Sequence, residues 1–223
     1  MKPLVIIPAH NEERLLGGVL EDILRPNLFD VLVIDDGSID DTYQLAGSYP
    51  VAVLKNEINM GKGAALKRGF DYAKSRGYRD IIAADADGQH RVEDLIVIYN
   101  VSLNSSADII IGNRMWHPQN MPWIRKATNT LISKALSCIA KVYIPDTQCG
   151  LKLLREHTLS DLSISSNKFE VESEILLKAI NRGYRIESVN ISSVYIEGRR
   201  SHIRPFRDTI RFLRYFFKVL CSR

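Results

Sequence analysis

Five short apolar runs punctuate the first half of the chain: Leu4–Ile7, Val31–Ile34, Val51–Leu54, Ile81–Ala84 and Asp108–Ile111. Between them lie stretches suited to helices. Asn11 is placed to cap the first, with Glu12 and Glu13 favourable in its opening turn. The others run over Asp40–Ser48, from Gly61 to about Ser75, and from Arg91 to Leu103. Runs that are continuously apolar, rather than alternating, belong to strands covered on both faces. Their regular exchange with helices predicts βαβ units, and hence an α/β fold with a mostly parallel sheet and helices on both faces.

The pattern loosens after Gly112. Pro122 suits the first position of a helix reaching about Val142, in which Ile124, Ala127, Leu131, Ala135 and Cys138 keep helical spacing. A strand to Leu154, a helix over Glu172–Asn181 and a half-exposed or edge strand over Arg185–Ile196 follow. The last segment, Phe206–Leu220, carries a basic stripe of Arg207, Arg211, Arg214 and Lys218 beside an apolar surface of Ile210, Leu213, Phe217 and Leu220. Two readings fit it: a helix lying in a membrane interface, or one packed on the sheet with a solvated basic face. We therefore divide the chain into one main domain over residues 1–205 and a basic amphipathic C-terminal helix over residues 206–223.

Charge is distributed unevenly. Residues 199–223 hold eight Lys/Arg against one Asp, whereas residues 1–198 carry a net −3. That asymmetry suggests an anionic partner surface. The tail's aromatics sit with its aliphatic face rather than forming a stacking platform, which argues against nucleic acid. No apolar run approaches the roughly 20 residues that span a bilayer. The first strand begins almost at Met1, leaving no room for a signal peptide. Cys138, Cys149 and Cys221 show neither CxxC nor zinc spacing, as suits a reducing cytosol.

The chemistry concentrates at strand tips. Asp85-Ala86-Asp87-Gly88-Gln89-His90 follows the fourth apolar run. Two carboxylates one residue apart repel unless a cation lies between them. With the amide oxygen of Gln89 they suit Mg²⁺ or Mn²⁺ carrying a diphosphate, though Asp and Gly also make ordinary solvated turns. Asp35-Asp36 closes the second run in a parallel position. Gly61-Lys62-Gly63 fails the Walker A pattern, because Asn56 and Gly63 stand where Gly and Ser/Thr belong. What remains is a glycine turn whose N–H groups and Lys62 either face a phosphate or simply open a helix. Arg114 follows the fifth run and reaches the same edge, either to meet an anion or to form a surface salt bridge.

Taken in order, these pieces resemble the family 2 glycosyltransferases, specifically those acting on dolichyl or polyprenyl phosphate. The matching residues are Val5–Glu13, Val33–Ser38 with Asp41-Thr42, Asn59–Leu66, Asp85–His90, Gly112-Asn113-Arg114, Asp146–Lys152, Phe169-Glu170 with Glu172 and Glu174, and Ser201-His202-Ile203 with Pro205. The resemblance implies a GT-A fold. It implies that Pro8, Ala9, Asn11, Glu12, Asp36, Lys62, Asp85 and Ala86 bind the nucleotide. Asp85, Asp87 and Gln89 would hold the metal. Arg114, Arg125, Ser201 and His202 would receive the acceptor phosphate, and Asp87, Arg114 and Asp146 would form the catalytic set. The helix from Pro122 would lie at the membrane interface.

The implied activity is inverting transfer of a hexose, mannose or glucose, from a GDP- or UDP-sugar to a polyprenyl or dolichyl phosphate on the cytoplasmic face of a membrane. A separate membrane protein is a further expected partner. A sugar hydroxyl acceptor needs a general base, whereas a phosphate monoester, with a second pKa near 6, is already largely ionised. Asp146 would then orient Arg114 or the acceptor pocket, and would act as a base only toward a hydroxyl. The competing readings are transfer to a glycan or protein hydroxyl, and a non-catalytic sugar-nucleotide-binding subunit of a membrane complex.

Overall fold

The computed structural model describes residues 1–118, 121–162, 164–168 and 170–192. Its strands are β1 (Leu4–Ala9), β2 (Asp30–Asp36), β3 (Ala52–Asn56), β4 (Asp80–Ala83), β5 (Ile109–Asn113), β6 (Lys152–Arg155) and β7 (Ile186–Asn190). They make one sheet in the order β3-β2-β1-β4-β6-β5-β7. Pairing is parallel except for β6, which runs antiparallel between β4 and β5. The helices are α1 (Leu16–Leu24), α2 (Thr42–Gly47), α3 (Lys62–Ser75), α4 (Val92–Asn104), α5 (Trp123–Ala140), α6 (Glu156–Asp161) and α7 (Val171–Asn181).

Strand alternation splits the core into two layers. Val5, Ile7, Val31 and Val33 face Leu16, Leu20 and Ile23 of α1, Ala46 of α2 and Leu95 and Ile98 of α4. Leu4, Ile6, Leu32 and Ile34 face Leu66 and Phe70 of α3, Leu159 of α6 and Ile175 and Leu176 of α7. Helices therefore cover both faces, as the continuous apolar runs require, and the mostly parallel sheet follows. The edge strand β7 is only half-buried, which explains its mixed composition.

Local details depart from expectation. Asn11 does not cap α1, which starts at Leu16. Asn11 instead adopts a positive φ of 55° and accepts a hydrogen bond from the Ile39 N–H through its side chain. Its amide oxygen is thus used to stitch two site loops together. Pro8 does not end β1; the strand continues through it to Ala9. On the β4 side, pairing ends at Ile6, so the N–H that Pro8 lacks has no ladder partner to lose. Pro122 is the cap before α5 rather than its first residue.

The apolar stripe expected along α5 faces outward: Ile124 is 55% and Leu131 70% exposed. The inward face mixes Ile132 and Leu136 with Asn129 and Ser133. Ser133 accepts the Thr147 N–H and Ser137 accepts the Ile144 N–H, so polar bonds hold the following loop beneath the helix. The amphipathic segment 206–223, together with Ser201 and His202, lies outside the described residues. Among the described residues, no helix is long and apolar enough to cross a membrane.

Candidate active site

The C-terminal ends of β1, β2, β4 and β5 share one edge of the sheet, the edge where open α/β sheets bind ligands. Because β6 is antiparallel, its beginning lies at this same edge, with Lys152 opposite both Ala83 and Ile111. The stretch from Asp146 to Leu151 is thereby delivered into the crevice.

Asp85 leaves the sheet just after Ala84, whose N–H donates to the Ile6 carbonyl. Its Oδ1 accepts from Lys62 Nζ at 2.5 Å. Lys62 is the first residue of α3 and also lies 2.7 Å from Glu172 Oε1. The other oxygen of Glu172 pairs with Lys152, which in turn donates to the Cys149 carbonyl. The result is an alternating chain of charges, Asp85–Lys62–Glu172–Lys152, whose last two members are 4% and 0% exposed. Burial would raise the Asp85 carboxyl, but the Lys62 ammonium overrides it and holds the group well below the usual carboxylate range. Burial would lower Lys62, and Asp85 and Glu172 together raise it instead.

Gly150 makes room for this arrangement. A Cβ there would fall 2.1 Å from Asp85 Oδ2. Gly150→Ala is expected to destabilise the fold by about 1–3 kcal/mol, the usual range for overpacking, and to displace the Asp85 carboxylate. Thermal unfolding and a crystal structure of the variant check both effects; an unmoved Asp85 would contradict the second.

Asp87 sits in the turn beyond Asp85 and accepts the Gln89 N–H at 3.0 Å through Oδ1. His90 is buried, with Nε2 3.9 Å from Asp85 Oδ2. Burial pushes its imidazole down to about 4, so it is neutral at physiological pH.

On the β5 side, Asp146 is fully buried and grips Arg114. It accepts the Arg114 backbone N–H at 3.2 Å, Nε at 2.8 Å and Nη2 at 3.0 Å. Burial opposes ionisation of Asp146, but the guanidinium prevails and holds its carboxyl low. Both oxygens are thus engaged by the arginine, an orienting arrangement rather than that of an available base. Beside them, burial pushes the Cys149 thiol up to about 12, leaving it inert.

On the β2 side, Asp36 accepts from Asn56 Nδ2 (2.7 Å), Met60 N (3.0 Å) and Gly61 N (2.7 Å). It anchors the loop that leads to Lys62. Residues 11 and 12 are tied to the β2–α2 loop by the Asn11 N–H to Ser38 Oγ and the Glu12 N–H to Thr42 Oγ1. Pro8 and Ala9 end the adjacent strand, and the buried Ala86 separates the two aspartates. The strand tips therefore bring together Asp36, Lys62, Asp85, Asp87, Gln89, Arg114 and Asp146. Arg125 is half-buried in the first turn of α5.

A second carboxylate in α7 supports the site from behind. Glu174 accepts from Ser165 N and Oγ and from Ser166 N. It thereby fixes the segment whose Asn167 carbonyl accepts the Ala64 N–H in the first turn of α3. Burial opposes its ionisation, yet Lys178 and the two serines bring it down to about 2, against 4.5 ordinarily. Because the folded value is depressed, the unfolded chain binds more protons below pH 4.5, and stability is lost as pH falls from there toward 2. Over that span the loss amounts to about 3 kcal/mol. Urea unfolding at pH 5, 4 and 3 should show a smaller loss in Glu174→Gln than in the wild type; equal losses would contradict this role.

The sequence profile of Glycosyl transferase family 2 matches residues 4–162. The chain belongs to this family. A UDP-N-acetylglucosamine–dolichyl-phosphate N-acetylglucosaminyltransferase of Methanococcus voltae is 29% identical, the match covering 86% of each chain. A polyprenol monophosphomannose synthase of Mycolicibacterium smegmatis is 30% identical over 86% of this chain and 77% of its own. The fold is shared with glucosyl-3-phosphoglycerate synthase from Mycobacterium tuberculosis, crystallised with Mn²⁺, UDP-glucose and phosphoglyceric acid. That match has a TM-score of 0.75 and 20% identity, over 99% of this chain and 79% of that one. The protein is thus a family 2 glycosyltransferase with a GT-A-like sheet.

The donor set of this family 2 site fits a hard divalent cation. Among the described residues, no three His, Cys, Asp or Glu side chains converge on one point. Asp85, Asp87 and Gln89 offer two carboxylates and one amide oxygen, all-oxygen donors of the kind that Mg²⁺ takes together with water and substrate phosphates. Sequence reasoning assigned no role to Gly150, Lys152 or Glu172, although all three stand within or beside the family motifs. A lysine opening an apolar strand, Lys152-Leu153-Leu154, was the available signal, because a buried ammonium requires a buried carboxylate.

Proposed function

We propose that this family 2 glycosyltransferase moves a hexose from a nucleotide sugar to a polyprenyl or dolichyl phosphate, inverting the anomeric centre. The reading of the acceptor rests on the Arg114–Asp146 pair. The carboxylate best placed to serve a hydroxyl acceptor is committed to the guanidinium at two points. What the pair offers an acceptor is a rigidly oriented cation, which suits a phosphate that needs no base. Of the two relatives above, one is named for dolichyl phosphate and the other for polyprenol monophosphomannose, which supports the same class.

Asp85, Asp87 and Gln89 would hold Mg²⁺ or Mn²⁺, which neutralises charge on the departing nucleoside diphosphate. Lys62, at the head of α3, adds a positive charge to the crevice, and Arg114 holds the attacking phosphate. Asp36 and residues 8–12 form the rim that receives the nucleoside. Bringing two anions together in a preorganised cationic crevice is the principal catalytic task.

The outward face of α5 is consistent with a lipid-borne acceptor. Trp123 (78% exposed), Ile124 and Leu131 are interspersed with Lys126 and Lys134, and the helix contains no acidic residue. Such a face suits the boundary of an anionic membrane. In our reading the enzyme works peripherally there, with residues 206–223 as a second contact and a separate membrane protein as a further partner.

The test is a panel of radiolabelled UDP- and GDP-sugars, each with Mg²⁺ or Mn²⁺, offered to polyprenyl phosphate and to soluble glycans. Metal-dependent label in the organic phase is the expected result. Label confined to a soluble acceptor would overturn the assignment and leave Asp146 as a candidate base.

A further inference from the structure

Lys62 occupies the carboxylate that the proposed metal needs. Its ammonium lies 2.5 Å from Asp85 Oδ1, on one of only two aspartates in the donor set. It is not held by Asp85 alone, because Glu172 Oε1 lies 2.7 Å from the same ammonium. Glu172 is buried within α7 and secured by Lys152, so it stays in place whichever way Lys62 turns.

We propose that Lys62 is a resident counter-cation for Asp85, yielding that carboxylate to an arriving divalent cation while Glu172 retains the released ammonium. The inference rests on the metal assignment made above and adds to it a competition. Two carboxylates side by side repel, and an empty acidic crevice would be costly to fold. Lys62 removes that cost in the metal-free protein. A divalent cation and an ammonium cannot both sit close to one carboxylate without strong mutual repulsion, which grows in a low-dielectric crevice. Release of Lys62 without Glu172 would strand a buried ammonium. With Glu172 present, the lysine exchanges one carboxylate for another and remains at the head of α3, where a diphosphate would meet it.

The physical consequence is that metal affinity in the absence of nucleotide is set low by the chain itself. Removing Lys62 should raise it, and removing the charge of Glu172 should lower it. A merely structural role would impair both variants in the same direction.

The experiment measures Mn²⁺ binding by the free-ion electron paramagnetic resonance signal, first with the metal alone and then with UDP or GDP. Lys62→Met, Lys62→Gln, Glu172→Gln and Asp87→Ala are compared with the wild type, each checked for folding by circular dichroism. Either Lys62 variant is expected to bind Mn²⁺ alone about tenfold more tightly, and Glu172→Gln several-fold more weakly, as befits removal of a neighbouring charge of each sign. If the Lys62 variants bind no more tightly, or Glu172→Gln shifts in the same direction as they do, the counter-cation role is overturned while the metal site stands. If the wild type holds no Mn²⁺ even with nucleotide, and Asp87→Ala is indistinguishable from it, the metal assignment and this inference fall together. Should both Lys62 variants misfold, Glu172→Gln decides alone: unchanged affinity refutes the exchange.

Discussion

Asp87→Ala is expected to reduce metal-dependent sugar transfer by about a thousandfold, the effect of losing several kcal/mol of charge stabilisation at the departing diphosphate. Of the two aspartates, Asp87 is the one whose removal isolates the metal. Asp85 is also bound to Lys62 and lies against Gly150, so changing it disturbs the whole charge chain. Asp87 sits half-buried in the turn beyond Asp85, where it accepts the Gln89 N–H. Circular dichroism checks that the variant is folded, and its loss should appear in kcat as well as in KM for the sugar nucleotide. Near-normal turnover in the presence of Mg²⁺ or Mn²⁺ would sink the metal assignment.

Asp146→Ala should have the largest effect on stability. Arg114 is 7% exposed, and the substitution strips its guanidinium of the carboxylate that binds it. Breaking a buried ion pair by deleting one partner typically costs about 3–5 kcal/mol. Urea unfolding would show this as a lowered midpoint with a similar slope. Asp146→Asn, which keeps the shape and one acceptor, should recover part of the stability but little activity, since the arginine loses its charged anchor. A stable, fully active Asp146→Ala enzyme would mean that Arg114 is positioned by something else.

Much of the architecture was legible because burial on two faces leaves a simple trace. Four-residue runs such as Val31–Ile34 and Ile81–Ala84 have no reason to be continuously apolar unless helices cover both sides. The position of β6 was not legible. Lys152-Leu153-Leu154 reads as a strand, but nothing local says that it inserts between β4 and β5 or runs antiparallel; that is decided by where its side chains find partners. The placing of candidate residues was legible where they close a strand, as at Asp85, Asp87 and Arg114. It was obscure where a residue serves another residue. Glu172 looks like one acidic position on an amphipathic helix, and its opposition to Lys62 and Lys152 exists only in three dimensions. Asn11 shows the reverse error: a good helix cap by type, it was drawn instead into a long-range bond with Ile39.

The antiparallel strand also bears on how the molecule is made. Of the two strands that border β6, β4 and β5, the first is complete by residue 83 and the second by residue 113, yet their shared neighbour is not synthesised until residues 152–155. Until then a nascent chain carries two unfinished sheet edges in the middle of its future core, each lined by isoleucines. Exposed apolar edges of this kind invite pairing with other chains. The part of the chain that precedes β6 is therefore no autonomous module. A fragment ending before β6 should aggregate rather than fold, and the stretch that brings Asp146, Gly150 and Lys152 to the catalytic crevice is also the one that closes the sheet. Assembly of that side of the crevice and completion of the core are expected to coincide, late in biosynthesis.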